Sequence, residues 1–240
     1  MKKCYQFLQQ QGLGSRKTCL DLLKQGRVAL NGEIINNNQS FTMLKTDIWT
    51  IDGVVWDVIP EKIYIMLHKP PNTETSHQPS HYASVFSILP PILQNRGINA
   101  VGRLDADTTG LLILTNDGQA VHALTSPKRH VPKRYEVTLK HPASGALVEQ
   151  LQQGVQLHGE TGLFCAELPV LLSPTVLQMT IHQGKYHQVK RLIAACANRV
   201  SGLHRLSLGR LTLGDLPLGD WRYLTDAEVK DLLIESGLKR

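Results

Sequence analysis

Apolar residues at helical spacing, followed by short alternating stretches, predict a compact unit within the first sixty residues. Ser15 is a typical helix N-cap, because its side chain can accept a hydrogen bond from the first turn. Asn31-Gly32 follows an alternating stretch, and this dipeptide is the strongest local signal of a two-residue β-hairpin turn. A second alternating stretch turns at Asp52-Gly53 in the same way. Two short helices and a few strands are enough for a binding module, but they leave no cleft for chemistry.

The pattern changes after a short linker, which we place at residues 59–62. Residues 1–58 form the first predicted domain, and residues 63–240 form the second. Apolar and alternating runs in the second domain predict strands, with segments of helical periodicity between them. The predicted strands are 63–67, 111–114, 134–139, 176–181 and 205–213, and the predicted helices lie near 118–125, 143–153 and 187–197. The sequence therefore predicts an α+β fold with a mainly antiparallel mixed sheet flanked by helices.

Composition excludes several classes of protein. Hydrophobic residues make up 42% of the 240 residues and charged residues 19%, which excludes a mainly disordered chain. No apolar stretch approaches the roughly 20 residues needed to cross a bilayer, and the N-terminal segment lacks the apolar core of a secretory signal. The four cysteines contain no C-x-x-C pair, so we expect reduced thiols in the cytoplasm and no zinc site. No coiled-coil pattern is evident, so a monomer is expected.

The chain is basic, with 26 Lys and Arg residues against 20 Asp and Glu, a formal net charge of +6. The distribution of these charges is more informative than their sum. Residues 168–214 contain no acidic residue, and a second basic cluster lies at 128–134. The basic residues of the acid-free stretch are Lys185, Lys190, Arg191, Arg199, Arg205 and Arg210. Segregated positive charge is typical of proteins that bind a phosphate backbone, so we expect a nucleic acid partner.

The strongest candidate for chemistry is the segment 102–118, GRLDADTTGLLILTNDG. A polar loop bounded by glycine leads into a fully apolar strand, and a carboxylate at the start of a buried strand is held rigidly. Asp105 could therefore act as a nucleophile or a general base. Two other interpretations stay open from the residues alone. Asp105 or Asp107 could only cap the turn, or the pair could bind a metal, although no third ligand is spaced to complete that site.

The same segment resembles the signature of the RsuA-type pseudouridine synthases, G-R-L-D-x-x-T-x-G-L-L-x-L-T-N-D-G. Further segments resemble other motifs of this family, in the same order along the chain. They are R-V-x-L-N-G at 27–32, K-R-Y at 133–135, G-K-Y-H-Q-V-K-R at 184–191 and L-H-R-x-x-x-G at 203–209. The resemblance implies a small N-terminal S4-like RNA-binding domain followed by a pseudouridine synthase catalytic domain.

The resemblance also implies a reaction and a substrate. An enzyme of this type converts one uridine of 16S rRNA, here of the uridine-516 type, to pseudouridine, on the rRNA or on a small-subunit assembly intermediate. The flipped-out base exchanges its N1 glycosidic bond for a C5 bond, without metal or cofactor. Two alternatives stay open: the same chemistry on large-subunit rRNA, and a non-catalytic S4-type assembly factor. The Y-H-Q-V-K-R wording at 186–191 favours the small-subunit enzyme.

The family motifs imply roles for individual residues of this chain. Asp105 matches the catalytic aspartate, Tyr135 the tyrosine that stacks on the flipped base, and Lys190 the basic partner of the aspartate. Arg191 is an alternative partner, because the helix register decides which side chain faces inward. The expected substrate-binding residues are Arg103, Leu104, His187, Gln188, Arg191 and Leu203, and the expected S4 contacts are Ser15, Arg16, Lys17, Arg27 and Asn31.

Two positions depart from the family pattern. Cys4-Tyr5-Gln6 replaces the usual L-D-K near the start of the S4 domain, which affects the expected RNA contacts. Asn72 replaces the glycine of the N-K-P-x-G motif, which affects a loop geometry. Asp107 matches a variable position, and we interpret it as a turn residue. Neither departure lies in the motif that contains Asp105.

Overall fold

The computed structural model describes residues 2–36, 39–42, 44, 46–235 and 237–238, with Lys2 and Phe41 described by their backbone alone. The chain divides into two compact units. The first comprises the described residues up to Ile63 together with Leu89–Ile98. The second comprises Tyr64–Ile88 together with the described residues from Asn99 onward.

The first unit packs helices against a small antiparallel sheet. Its helices are α1 (Cys4–Gln10), α2 (Arg16–Lys24) and the short α3 (Pro91–Gln94). Its strands are β1 (Lys2–Lys3), β2 (Val28–Leu30), β3 (Glu33–Ile34), β4 (Ser40–Phe41), β5 (Trp49–Ile51) and β6 (Val54–Trp56). The main sheet has the order β3-β2-β5-β6, and β1 pairs with β4. A buried core joins the helices to the sheet and includes Phe7, Leu8, Cys19, Leu22, Leu23, Val28 and Trp49.

Local sequence signals determine where these elements begin and turn. Ser15 Oγ accepts a hydrogen bond of 3.2 Å from a backbone N–H in the first turn of α2. Asn31 and Gly32, with φ of 52° and 87°, form the two-residue turn between β2 and β3. Asp52 and Gly53, with φ of 54° and 76°, do the same between β5 and β6. Positive φ at both turn positions gives a backbone twist that matches the strands, and both hairpin predictions are confirmed.

Residues 59–62, the expected linker, receive hydrogen bonds from two buried side chains. Gln11 Nε2 donates to the carbonyl oxygen of Ile59 at 3.0 Å, and Arg96 Nη2 donates to that of Pro60 at 2.7 Å. Arg96 belongs to Leu89–Ile98, which lies inside the range expected for the second domain but groups with the first unit. The expected linker therefore belongs to the first unit, where it is held by contacts that the local pattern did not indicate.

The second unit contains the larger set of elements. Its α-helices are α4 (Gly118–Thr125), α5 (Gly145–Gln153), α6 (Gln188–Ala195) and α7 (Asp226–Glu235), and 3₁₀ turns span Val85–Ile88 and Pro127–Arg129. Its strands are β7 (Tyr64–Lys69), β8 (Thr73–Glu74), β9 (Ala83–Ser84), β10 (Asn99–Ala100), β11 (Thr109–Thr115), β12 (Lys133–Leu139), β13 (Val155–Gln156), β14 (Leu163–Phe164), β15 (Glu167–Ser173), β16 (Val176–Ile181), β17 (Val200–Leu208), β18 (Leu211–Thr212) and β19 (Trp221–Tyr223). Within the described ranges, no helix is both long enough and apolar enough to cross a membrane.

Among the described residues, nine strands form one mixed sheet in the second unit. Its order is β15-β16-β12-β17-β11-β7-β19, with β10 beside β11 and β18 beside β17. The pairing of β11 with β17 is parallel, and the other pairings in the sheet are antiparallel. The predicted α+β content is confirmed. Residues 111–114 of β11 are completely buried, as predicted, so the loop before β11 is anchored at the middle of the sheet.

The structure corrects one predicted strand and adds elements that had no clear local signal. The strand predicted at 205–213 is the end of β17, a turn at Gly209 with φ of 56°, and β18. Apolar and polar residues alternate on both sides of Gly209, and this strand-like pattern concealed the turn. The edge strand β15 and the C-terminal helix α7 were not predicted. Along β15 the residues Leu168, Val170 and Leu172 are exposed, which is the reverse of the pattern expected for a strand that covers a core.

Candidate active site

A buried lysine holds the loop that carries Asp105 through hydrogen bonds to the loop backbone. Lys69 ends β7, has no exposed surface, and donates from Nζ to the carbonyl oxygens of Ala106 at 3.2 Å and Thr108 at 2.9 Å. Burial lowers the pKa of Lys69 to about 8, although the negative charges of Asp107 and Asp105 oppose this effect. Lys69 therefore holds the backbone of the loop and does not reach into the solvent.

Asp105 lies between two basic side chains. Its Oδ2 is 2.9 Å from Lys190 Nζ, and its Oδ1 is 3.2 Å from His187 Nε2. Lys190 Nζ also bonds both carboxylate oxygens of Asp107, at 2.8 and 2.9 Å. Burial would lower the pKa of Lys190, but the hydrogen bonds with Asp107 and Asp105 outweigh it and raise that pKa. Lys190 is therefore a stable cation beside Asp105, and Asp107 is a second carboxylate partner as well as a turn residue.

The register of α6 separates the two adjacent basic residues. His187 precedes the helix with a left-handed φ of 50°, and from there Lys190 reaches Asp105. Arg191 points to a different neighbour, with its Nη1 3.3 Å from Glu160 Oε1 and its Nη2 2.5 Å from the carbonyl oxygen of His158. Arg191 thus fixes the loop around residue 160. The expectation that it could replace Lys190 beside the aspartate does not match this geometry.

Asp105 faces a pocket built from the segments 101–108, 184–190 and the strands β12 and β17. Tyr135 is 6% exposed and lies directly opposite Arg205 in the pairing of β12 with β17. The side chain of Arg103 is exposed and has no hydrogen-bond partner among the described residues. The pocket brings together the predicted residues Arg103, Leu104, Asp105, Tyr135, His187, Gln188, Lys190 and Leu203. Arg191 is not among its lining residues.

The remaining residues of the segment 102–118 explain why the motif has its particular composition. Gly110 faces the backbone of Arg205, and a Cβ at this position would lie 2.3 Å from the carbonyl oxygen of Arg205. Asp117 caps α4 through the backbone N–H of Gln119 at 3.1 Å and accepts a hydrogen bond of 2.7 Å from Tyr64 Oη. Glycine thus permits the close approach of β11 and β17, and the aspartate sets the position of the following helix.

Sequence reasoning missed three cations in or beside this pocket, of which Lys69 and Arg205 are buried and Lys133 is half-buried. Lys69 lies in H-K-P-P, which was interpreted as a break after a strand, and its signal was a lysine ending an otherwise apolar run. Lys133 and Arg205 lie in recognised motifs but were not singled out. Burial, together with the nearby charge of Arg205, lowers the pKa of Lys133 to about 8. Only the folded structure reveals that these cations are withdrawn from solvent to this extent.

Comparisons with known proteins identify the family of this chain. Residues 63–195 match the RNA pseudouridylate synthase family. Ribosomal small subunit pseudouridine synthase A of Vibrio cholerae is 37% identical over 219 residues, covering 91% of this chain and 94% of the relative. The protein of the same name from Escherichia coli K12 is 37% identical over 229 residues, covering 95% and 98%. The chain belongs to the RsuA-type RNA pseudouridine synthases. It is therefore an isomerase that converts uridine in RNA to pseudouridine.

A solved structure supports the fold of this pseudouridine synthase. A crystal structure described as that of a pseudouridylate synthase matches with a TM-score of 0.68 and 33% identity, over 97% of this chain and all of that chain. The position that departs from the family loop motif is also accounted for. Asn72 has φ of 56°, and asparagine is among the residues that adopt this left-handed conformation most readily. Asn72 therefore adopts the left-handed conformation that favours glycine at this position.

In the first unit of the pseudouridine synthase, the five expected S4 contacts fall into two groups. Arg16 and Lys17 are exposed, and the Arg16 guanidinium lies 5.0 Å from the ring centre of Tyr5. Arg27 is paired with Asp52, with Nη2 2.7 Å from Oδ2. The other two are engaged within the unit: Asn31 Oδ1 accepts from the backbone N–H of Ile48, and Ser15 caps α2. Of the three basic members, Arg16 and Lys17 are thus the ones with no acidic partner among the described residues.

Proposed function

We propose that this enzyme converts one uridine of small-subunit ribosomal RNA, at the uridine-516 type of site, to pseudouridine. The observation that carries the proposal is the Asp105 carboxylate, which lies 2.9 Å from Lys190 Nζ in a pocket that Tyr135 also lines. The choice of RNA is supported by the names of the Vibrio cholerae and Escherichia coli relatives. The substrate is the 16S rRNA itself or a small-subunit assembly intermediate.

Asp105 supplies the ionised carboxylate that acts on the ribose. It either attacks C1′ or removes the proton from C2′, and in both routes the bond between C1′ and N1 breaks. A cation beside a partly buried carboxylate favours its ionised form, and Lys190 occupies that position. Because the atoms of uridine are only rearranged, the reaction needs neither an electron carrier nor a second substrate, and we expect no cofactor.

The uridine must leave the RNA stack to reach Asp105, and this unstacking costs a few kcal/mol. Tyr135, nearly buried in the pocket, stacks on the flipped base and assists removal of the C5 proton. Leu203 packs against the uracil, with Leu104 lining the same pocket. Arg103, exposed at the pocket, holds a phosphate or fills the space that the base has left.

Two further residues position this machinery through α6 and the preceding loop. His187 contacts Asp105 at 3.2 Å and orients the carboxylate. Gln188 is buried and accepts a hydrogen bond of 3.1 Å from the backbone N–H of Lys185, which fixes the segment before the helix. Both residues act beside the RNA and do not replace Lys190 as partner of the aspartate.

The first unit acts as the S4-like RNA-binding module of the enzyme. This part of the proposal is supported by helices α1 and α2 and the small antiparallel sheet, and by the exposed Arg16 and Lys17 at the start of α2. Cations and free backbone N–H groups at a helix start can hold phosphates. Such contacts bind the RNA backbone, while the shape of the RNA determines the site.

Pseudouridine mapping on both ribosomal RNAs, in cells that lack this protein, tests the proposal. The cells are complemented with wild type, with Asp105→Asn, or with Asp215→Asn. Asp215 is an exposed carboxylate in the same unit, without a hydrogen-bond partner among the described residues, so its amide serves as the matched control. We expect one small-subunit pseudouridine to disappear, and to return with wild type and the Asp215 variant but not with Asp105→Asn.

Each other result has a defined meaning. Loss of a large-subunit site would retain the chemistry and overturn the proposed RNA. Restoration by Asp105→Asn would remove Asp105 from the mechanism. Persistence of every pseudouridine, together with RNA binding and no turnover by the purified protein, would support the non-catalytic assembly factor instead.

A further inference from the structure

Arg205 is a buried cation whose hydrogen-bonding capacity is only partly used. Its side chain lines the same pocket as Asp105 and is 2% exposed. Its Nε donates to the carbonyl oxygen of Leu111 at 2.7 Å. Its Nη2 is buried and has no hydrogen-bond partner among the described residues. A guanidinium cannot release its proton in a protein, so this site retains both a charge and an unused donor.

The position of Arg205 is determined by the strands on both sides. In the antiparallel pairing of β12 with β17, Arg205 lies opposite Tyr135, the residue proposed to stack on the base. In the parallel pairing of β11 with β17, it lies opposite Gly110, where any side chain would collide with its backbone. Because its Nε is bonded to β11, the guanidinium is held in place before any substrate arrives.

The charges around the pocket do not neutralise this guanidinium. Asp105 and Asp107 are both paired with Lys190. Arg205 forms no ion pair with an acidic residue in the described part of the chain. Its charge also acts on Lys133, whose pKa falls to about 8 through burial and through Arg205. A buried, unpaired positive charge is costly unless a ligand with a negative charge or a strong acceptor contacts it.

We propose that the guanidinium of Arg205 donates a hydrogen bond to a carbonyl oxygen of the flipped uracil and stabilises the base as an anion after the glycosidic bond breaks. The inference rests on the proposed function and adds a catalytic residue to it. When C1′–N1 breaks, its electron pair stays on N1, so the base leaves with a negative charge shared by N1, O2 and O4. C1′ meanwhile either bonds to an Asp105 oxygen or becomes part of a double bond as Asp105 takes the C2′ proton.

The remaining steps complete the isomerisation without another reactant. The anion turns over and C5 bonds to C1′. If the covalent route is followed, the bond between C1′ and the Asp105 oxygen breaks in this step and its electron pair returns to the carboxylate. The C5 proton then leaves and N1 receives a proton. If the glycal route is followed, C2′ recovers the proton that Asp105 removed. A hydrogen bond from a fixed cation is stronger to the anion than to neutral uridine, so Arg205 accelerates bond breaking more than it strengthens RNA binding.

The test compares wild type with Arg205→Lys and Arg205→Gln in single-turnover reactions on transcribed small-subunit rRNA. Both variants should bind the RNA within about threefold of wild type. Their rates should fall on the order of 100-fold, the loss typical of removing one donor to a developing anion. Arg199→Gln, an exposed arginine that immediately precedes β17, is the matched control and should retain the wild-type rate.

A second substrate separates catalysis from a structural role. The same RNA made with 5-fluorouridine carries a base whose anion is stabilised by fluorine. The loss of 5-fluorouridine at the target site during the first turnover is measured by nuclease digestion and mass spectrometry. The rate defect of the Arg205 variants should shrink by about tenfold on this RNA, because the leaving group needs less stabilisation. Equal defects on the two RNAs would overturn the inference and assign Arg205 a purely structural role.

A measurement on wild type keeps the inference testable if the variants do not fold. A nitro group at C5 makes uracil ionise below neutral pH, whereas 5-methyluracil stays neutral. The ionised 5-nitrouracil should inhibit the wild-type enzyme at a concentration at least about tenfold lower than 5-methyluracil, because the pocket favours an anion. Equal inhibition would contradict the proposal. Absence of pseudouridine with wild type itself would overturn the proposed function, which these comparisons distinguish from failure of the Arg205 role alone.

Discussion

Two lysines near Asp105 have different roles because their surroundings differ. Lys190 is surrounded by carboxylates, and their hydrogen bonds outweigh the effect of burial and raise its pKa. Lys69 is surrounded by backbone carbonyls, and burial lowers its pKa to about 8. The first lysine is therefore suited to hold a negative carboxylate in place. The second supports the loop that presents that carboxylate.

Replacing Lys69 with methionine should lower stability while leaving the fold intact. The variant keeps the length of the side chain but leaves the carbonyl oxygens of Ala106 and Thr108 buried without this donor. The free energy of unfolding at neutral pH, measured by urea titration, should fall by about 1–3 kcal/mol. Lys230→Met, at an exposed position of α7, is the control and should change stability little. Equal stability of the Lys69 variant and wild type would show that these hydrogen bonds contribute nothing net.

The same variant carries a prediction about pH. The pKa of Lys69 is about 8 in the folded protein, against an ordinary value of 10.5. Between these two pH values the unfolded chain binds a proton that the folded protein does not, so this residue makes unfolding more unfavourable as the pH rises. The stability advantage of wild type over Lys69→Met should therefore widen from pH 8 to 10.5. A constant difference over this range would contradict the lowered pKa.

At the scale of elements, the parallel pairing of β11 with β17 assembles the site. β11 carries the Asp105 loop at its start, and β17 contributes Leu203 and Arg205. These strands are distant in the sequence. Their backbones can approach closely at Gly110 only because no side chain lies between them there. Gly110 provides that space, with a φ of 110° that residues with a side chain rarely adopt.

Gly110→Ala should therefore separate the two strands or prevent folding. The new Cβ would lie 2.3 Å from the carbonyl oxygen and 2.5 Å from the nitrogen of Arg205. Steric overlap and the unfavourable φ together should cost about 2–5 kcal/mol, measured as a fall in the free energy of unfolding. Gly145→Ala in α5 is the matched control, because a Cβ there meets nothing within 4 Å, and it should be neutral or slightly stabilising. Similar stabilities for the two variants would mean that β11 and β17 tolerate a wider spacing.

At the scale of the whole molecule, the chain combines a formal net charge of +6 with two compact units. The candidate catalytic pocket belongs to the second unit, whereas Arg16 and Lys17 belong to the first. A polyanionic substrate meets positive charge on both units. RNA affinity and turnover should therefore respond separately to mutations in the two units.

The double variant Arg16→Ala with Lys17→Ala should bind small-subunit rRNA more weakly, with a shallower dependence on salt. Each phosphate contact contributes roughly 0.7–0.9 to the slope of log affinity against log salt concentration, so the slope should decrease by about 1–2. Filter binding over a salt series measures this slope. Lys24→Ala, at the other end of α2, is the control for a general loss of charge. An unchanged slope would exclude the start of α2 from the RNA contact.

Features that depend on contiguous residues were predictable. The two-residue turns at 31–32 and 52–53 follow from residue types that tolerate positive φ, and the burial of 111–114 follows from an unbroken apolar run. The candidate catalytic segment was also found from consecutive residues, through their resemblance to the family signature. The turns and the buried strand are predictable because the conformational preferences of neighbouring residues agree with the final fold.

The sequence by itself thus determined the α+β content, the turns and the motif that carries Asp105. Only the tertiary structure decided that Lys190 and not Arg191 faces Asp105, that Lys69 lies buried under the loop, and that Arg205 borders the pocket with an unused donor. The reason is that each of these facts depends on helix register and on strand pairing between residues far apart in the chain. Burial and the choice of partner arise only when those strands meet, so no local pattern could specify them.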